Sequence, residues 1–113
     1  MKAAPEIAVV IPCYRVRSRI LPVLAAIGPE VGQIIVVDDA CPEGTGERVR
    51  AECSDPRVRV LFNASNQGVG GAVLAGYAAA IADGARVIVK IDGDGQMDPG
   101  LLPDFVAPIL AGE

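Results

Sequence analysis

Short apolar runs alternate with longer mixed stretches along the whole sequence. Ile7 to Ile11, Ile34 to Val37, Val58 to Phe62 and Val87 to Ile91 are nearly continuous aliphatic runs, the pattern of strands covered on both faces. Between them the spacing turns helical. Ile20, Leu24 and Ile27 share one face of a first helix, whose end is marked by Gly28-Pro29. A second, about Thr45 to Cys53, is polar, with Glu47, Arg48, Arg50 and Glu52 on its solvated face. A third, about Gln67 to Ala82, is rich in alanine, and Gly76 in its middle predicts close packing on a sheet. A fourth is expected from near Pro99 toward Leu110, with Pro103 and Pro108 limiting its length.

Strand and helix alternating in this way predict an α/β fold, with parallel strands joined by right-handed crossovers in the order 3-2-1-4. Ligands of such sheets bind beyond the carboxyl ends of the strands where the winding direction reverses, here between strands one and four. The loop Pro12-Cys13-Tyr14-Arg15 would then lie beside Asp92 to Gln96, with Asp38-Asp39 ending the neighbouring strand.

Composition narrows the chemistry. A chain of 113 residues makes one domain, and a net charge of -4 without a basic cluster argues against a nucleic-acid polymer as partner, though not against a nucleotide held through a metal. Histidine is absent, which removes His-dependent triads and most zinc enzymes. Cys13, Cys41 and Cys53 lack C-x-x-C spacing and read as small buried thiols in a reducing compartment, with a reactive Cys13 as the alternative. The apolar run after Pro5-Glu6 is too short for a signal peptide or a membrane span, so a soluble cytosolic chain is expected.

Asp92-Gly93-Asp94-Gly95-Gln96 carries the strongest chemical signal. Two carboxylates and an amide oxygen alternate after the fourth apolar run, and side chains of that kind hold Mg2+ or Mn2+ while substrate phosphates complete the shell. The glycines let the backbone turn sharply and approach a bulky anion. An ordinary polar turn is the plainer reading, but it rarely needs two acids one residue apart. Lys90 shares a side of the strand with Asp92 and reads as its ion partner rather than a catalyst. Asp38-Asp39 can accept hydrogen bonds from a ribose hydroxyl or a base N–H, or can serve as turn residues. Asn66 reads as the N-cap of the third helix, whose free N–H groups could also face an anion. Tyr14 could stack on a base or simply pack. Neither the dinucleotide fingerprint after strand one nor a P-loop is present.

Four blocks in order, VVIPCYR at 9 to 15, VVDDACPEGT at 36 to 45, NQGVGGA at 66 to 72 and DGDGQMDP at 92 to 99, resemble those of the inverting nucleotide-sugar glycosyltransferase family 2 with the GT-A fold. The dolichol-phosphate mannosyltransferase and polyprenyl-phosphate sugar transferase branch is the most similar. That resemblance implies a Rossmann-like three-layer arrangement and a metal-dependent transferase of cell-envelope polysaccharide or glycolipid synthesis. It implies further that Pro12, Tyr14 and Asp39 line a nucleoside pocket with Asp38 beside them. Asp92, Gly93, Asp94 and Gln96 would surround the cation and diphosphate of a UDP- or GDP-linked sugar, and polyprenyl phosphate would be the acceptor. Arg15 and Val16 stand where the family commonly has Asn and Glu, and Ala40-Cys41 where it commonly has Gly-Ser. Such domains run to roughly twice this length, so residues 1–113 are expected to be the donor-binding half, with acceptor site, catalytic base and any membrane contact beyond Glu113.

Two other classes compete. Aspartyl-phosphate phosphatases and phosphotransferases also place D-x-D after an apolar strand, but on the first strand and with Thr or Val where this chain has Gln96. A non-catalytic nucleotide- or metal-binding module is the other. An EF-hand fails, because Met97 and Pro103 stand at its sixth and twelfth loop positions. A half domain would also leave the fourth strand as an open edge guarded by Lys90 alone, which predicts self-association.

Overall fold

The computed structural model describes residues 7–93. Its elements are β1 (Ile7–Cys13), α1 (Ile20–Ala25), β2 (Gln33–Asp38), α2 (Thr45–Glu52), β3 (Val58–Phe62), α3 (Gly68–Ala82) and β4 (Val87–Lys90). The four strands form one parallel sheet in the order β3-β2-β1-β4, as the alternation of periods predicts. The expected helix beyond Pro99 lies outside the described residues.

The central strands are where sequence and structure agree most closely, because both faces of β1 and β2 are covered. On one face Val9, Ile11, Ile34 and Val36 pack with Ile20, Val23 and Leu24 of α1 and Val49 of α2. On the other, Ala8, Val10, Ile35 and Val37 pack with Ala72 and Ala80 of α3. Successive residues of a strand thus serve opposite layers, and neither layer tolerates a polar position. Gly76 is what brings α3 down onto the sheet. A Cβ there would stand 2.3 Å from Val10 Cγ1.

β1 continues two residues past its apolar run and takes in Pro12, whose missing N–H would break a central ladder. The break is avoided by β4 being short. Val10 accepts the Ile91 N–H at 3.0 Å, so Pro12, two residues on, faces the same side at a level where β4 has already ended.

The outer strands depart from full coverage. Arg59 and Phe62 of β3 are exposed, as is Lys90 of β4, because each strand has a sheet neighbour on one side only among the described residues. α1 is shorter than its apolar stripe suggests, and Ile27 is buried beyond its end. α3 starts with Gln67 rather than Asn66 at its N-cap, although Asn66 Oδ1 does accept the Gly68 N–H at 2.9 Å. At the amino end of the sheet, Arg57 ties two turns together. Its guanidinium donates to the carbonyls of Ile27, Gly28 and Val31 and pairs with Asp55 at 2.8 Å, which holds the Asp55 carboxyl below the usual carboxylate range.

Candidate functional site at the carboxyl edge of the sheet

Three loops leave the carboxyl ends of β1, β2 and β4 and meet around Cys13. Asp39, just past β2, donates its N–H to the Cys13 carbonyl at 3.1 Å. Gly93, just past β4, lies so close that a Cβ would come within 3.0 Å of Val16 Cγ2 and 3.4 Å of Cys13 Sγ. Only glycine fits there without displacement. The convergence expected from the winding reversal is therefore present, and Pro12 and Gly93 are buried in it while Tyr14 and Asp92 stand at its surface.

Asp38 and Asp39 are adjacent in sequence and both buried, yet the chain uses them differently. Asp38 is consumed internally. One of its oxygens accepts the Cys41 N–H and the other the Gly46 N–H, each at 2.7 Å, so it fixes the β2–α2 loop and the first turn of α2. Gly46 is required by that contact, since a Cβ would lie 2.8 Å from Asp38 Oδ2. In Asp39, Oδ1 accepts both the Asn63 amide and the Gln67 N–H, each at 2.8 Å, joining the ends of β2 and β3 to the start of α3. Its Oδ2 has no partner among the described residues.

Backbone conformation is unusual at the same edge. Arg15 and Ala40 are the non-glycine residues with positive φ among the described residues, at 57° and 58°. One follows β1 and the other β2, and they are tied together where the Arg15 N–H donates to Cys41 Sγ at 3.1 Å. Left-handed backbone costs energy for any residue with a Cβ and gathers at functional sites. Arg15 also lays its guanidinium over the Tyr14 ring, 5.4 Å from the centroid.

The thiols diverge from the expectation of three equivalent buried groups. Cys13 is fully buried, and burial first, then the negative charge of Asp38, pushes its thiol up beyond any useful reactivity. Cys41 and Cys53 are only partly buried. For Cys41, partial burial raises the thiol, but hydrogen bonds from Thr45 and from the Arg15 N–H outweigh it and leave the group below the ordinary range.

Of the proposed cation ligands, Asp92 is described and Asp94 and Gln96 lie outside the described residues. The Asp92 carboxylate is exposed and 3.1 Å from Lys90 Nζ, the ion pairing expected from their shared side of the strand. A surface pair of this kind contributes at most about 1 kcal/mol and leaves carboxylate oxygen open to a hard cation. No cluster of three or more metal-binding acids or thiols occurs among the described residues, so a cation here would depend on Asp94, Gln96 and the phosphates. Asn63 was not foreseen as part of this edge. Asn63 offered one signal, a lone amide directly after an apolar run.

Comparison with known proteins gives a coherent picture. The model of Glycosyl transferase family 2 matches residues 8–113. The polyprenol monophosphomannose synthase of Mycolicibacterium smegmatis is 35% identical over 109 residues, covering 92% of this chain and 41% of the relative. Among solved structures, S. aureus TarS 1-349 in complex with UDP superposes with a TM-score of 0.74 at 21% identity, over 94% of this chain and 32% of that one. The mannosyltransferase PcManGT from Pyrobaculum calidifontis, in complex with GDP-Man and Mn2+, gives 0.61 at 22% identity over 81% and 28%. The chain spans between 31% and 42% of the length of the curated relatives it matches.

Proposed function

This chain belongs to glycosyl transferase family 2, and from that premise we propose that it binds the nucleoside diphosphate-sugar donor of a glycosyltransferase at the carboxyl edge of its sheet. The observation that carries the reading is the meeting of the β1, β2 and β4 loops at Cys13, with Asp39 on one side and Asp92-Gly93 on the other. The order of parts matches the order of the ligand. Asp39 and Tyr14 take the nucleoside, Pro12 and Asp38 shape the wall behind it, and the glycine-tight backbone at Gly93 lets the diphosphate approach.

Asp92, with Asp94 and Gln96, would hold Mg2+ or Mn2+ against the diphosphate, and the exposed Asp92 carboxylate fits that use. When bound, the cation supplies positive charge to the departing nucleoside diphosphate. In the transfer itself the anomeric carbon exchanges its bond to the diphosphate oxygen for one to the acceptor oxygen. Any acceptor proton passes to a general base. Polyprenyl phosphate is the acceptor favoured by the names of the relatives. No described helix is long and apolar enough to cross a membrane. The chain spans less than half the length of these relatives, and alone it should give no glycolipid product.

Calorimetry with UDP and GDP tests the reading. Binding in the presence of Mn2+ that weakens at least about tenfold with EDTA or in Asp94→Ala is expected. Nucleotide binding indifferent to both would remove the cation from the account, and no nucleotide binding under any condition would remove the function.

A further inference from the structure

Most cations of this chain are used within the fold. Arg57 pairs with Asp55, Arg59 with Asp83 and Lys90 with Asp92, while Arg50 lies over the Phe62 ring. The β1–α1 loop is different. Arg15, Arg17 and Arg19 alternate along it, all exposed, and none of the three pairs with a carboxylate among the described residues. The backbone that carries them is fixed. Val16 packs inward against the core and Gly93, its carbonyl accepts the Arg19 and Ile20 N–H groups at 2.9 and 3.0 Å, and Cys41 Sγ holds the Arg15 N–H. Arg48 of α2 brings a fourth guanidinium by donating to the Arg17 carbonyl. Arg15, Arg17, Ser18 and Arg48 line a cleft of about 380 Å³ together with Glu43 and Glu52, and Glu52 is already bound to Arg48 at 3.0 Å.

From this we infer that the β1–α1 loop docks on an anionic lipid surface, its arginines and Ser18 taking lipid phosphate groups. The inference goes beyond donor binding, and in its choice of occupant it rests on the proposed polyprenyl-phosphate acceptor, which resides in a bilayer. Charge selects an anion. On this patch the guanidiniums of Arg15, Arg17, Arg19 and Arg48 face the carboxylates of Glu43 and Glu52, a local positive excess in a chain whose net charge is -4. Three exposed like charges in one short loop repel one another, whereas a phosphate accepts two parallel hydrogen bonds from a single guanidinium. A nucleic-acid polymer is disfavoured, because the acidic remainder of the chain would lie along it, while a bilayer meets only the projecting loop. The loop leaves the carboxyl end of β1, so docking there sets the proposed donor edge at the headgroups. Each arginine near an anionic surface favours partitioning by about fivefold, and by less as salt screens it.

The experiment is vesicle flotation of the 113-residue chain with equimolar phosphatidylglycerol and phosphatidylcholine, and with phosphatidylcholine alone. The native chain should float with the anionic vesicles at low salt, release as salt is raised, and stay behind with the neutral ones. The double variant Arg17→Ala/Arg19→Ala should bind the anionic vesicles about 25-fold more weakly. Both side chains are exposed and make no hydrogen bond among the described residues, so circular dichroism and the calorimetric UDP affinity should match those of the native chain. Arg50→Ala/Arg59→Ala removes the same charge from another face and should leave flotation close to native. An equal fall in both double variants would reduce the effect to net charge and overturn the inference. So would a native chain that floats with neither vesicle or with both alike, a comparison that needs no variant. Tighter binding to a single-stranded oligonucleotide than to the anionic vesicles would assign the loop to nucleic acid and overturn it as well. Each of these failures leaves donor binding standing, because UDP affinity is measured separately. A chain that floats as expected yet binds no nucleotide would keep the docking surface and remove the donor reading.

Discussion

Ala40 shows how a residue read as a departure from a family pattern acquires a physical meaning. The sequence has Ala40-Cys41 where Gly-Ser is common, and the structure puts Ala40 at φ 58°. Holding an L-residue in the left-handed region costs about 1–2 kcal/mol, while glycine returns part of that through its larger loss of backbone freedom, about 0.5–1 kcal/mol. The first term wins, so Ala40→Gly should stabilise the chain by up to about 1 kcal/mol in urea unfolding. Cys41, its neighbour, calls for a kinetic test. Its thiol is held below the ordinary range, so at a given pH near 8 a larger fraction is thiolate than in an unfolded chain, and alkylation should rise toward its plateau at lower pH. Mass spectrometry after brief iodoacetamide treatment should find Cys41 modified and Cys13 untouched. Modification of Cys13 first would mean that the β1 loop opens. None of this was legible in the sequence, because a thiol's partners come from Arg15 and Thr45, and the first of these is 26 positions away.

Elements were legible to the extent that burial imposed a single pattern on them. β1 and β2 have two covered faces and announce themselves as continuous apolar runs. β3 and β4 carry the same kind of run but lie at the margins of the described sheet, so the run overstated their burial. The position of Asn66 was read one residue off, because a side chain can satisfy the Gly68 N–H from just outside the helix. Gly76 was the clearest single-residue signal of packing. Gly76→Ala improves helix propensity by about 1 kcal/mol, but the added methyl meets Val10, and overpacking costs about 1–3 kcal/mol. Net destabilisation is expected, with the folded signal lost at lower urea. A variant more stable than the native chain would show that α3 stands farther from the sheet than the structure places it.

At the scale of the whole molecule, the sheet order followed from counting alternations and applying the crossover rule, and it was found. The distribution of partners within the site was not accessible that way. Asp38 and Asp39 are chemically identical in sequence, and only the loops they tie distinguish a carboxylate that holds the β2–α2 loop from one that joins the end of β3 to the start of α3. The outer edge of β4 has no strand beside it among the described residues, and Lys90 is the charge on that strand. Exposed Leu74 and Ile81 add an apolar stripe on α3. We expect the 113-residue chain to self-associate at micromolar concentration in sedimentation velocity. A strictly monomeric chain with β4 amides protected from exchange would mean that the edge is covered from within.

The most direct measurement of the central claim is a map of where the nucleotide lands. Titration of UDP with Mg2+ into 15N-labelled chain should shift the backbone amides of Tyr14, Arg15, Asp39, Gln67, Asp92 and Gly93, all at the carboxyl edge. The amides around Asp55 and Arg57 at the opposite end should stay where they are. Shifts confined to that opposite end, or no shifts at millimolar nucleotide, would contradict the account.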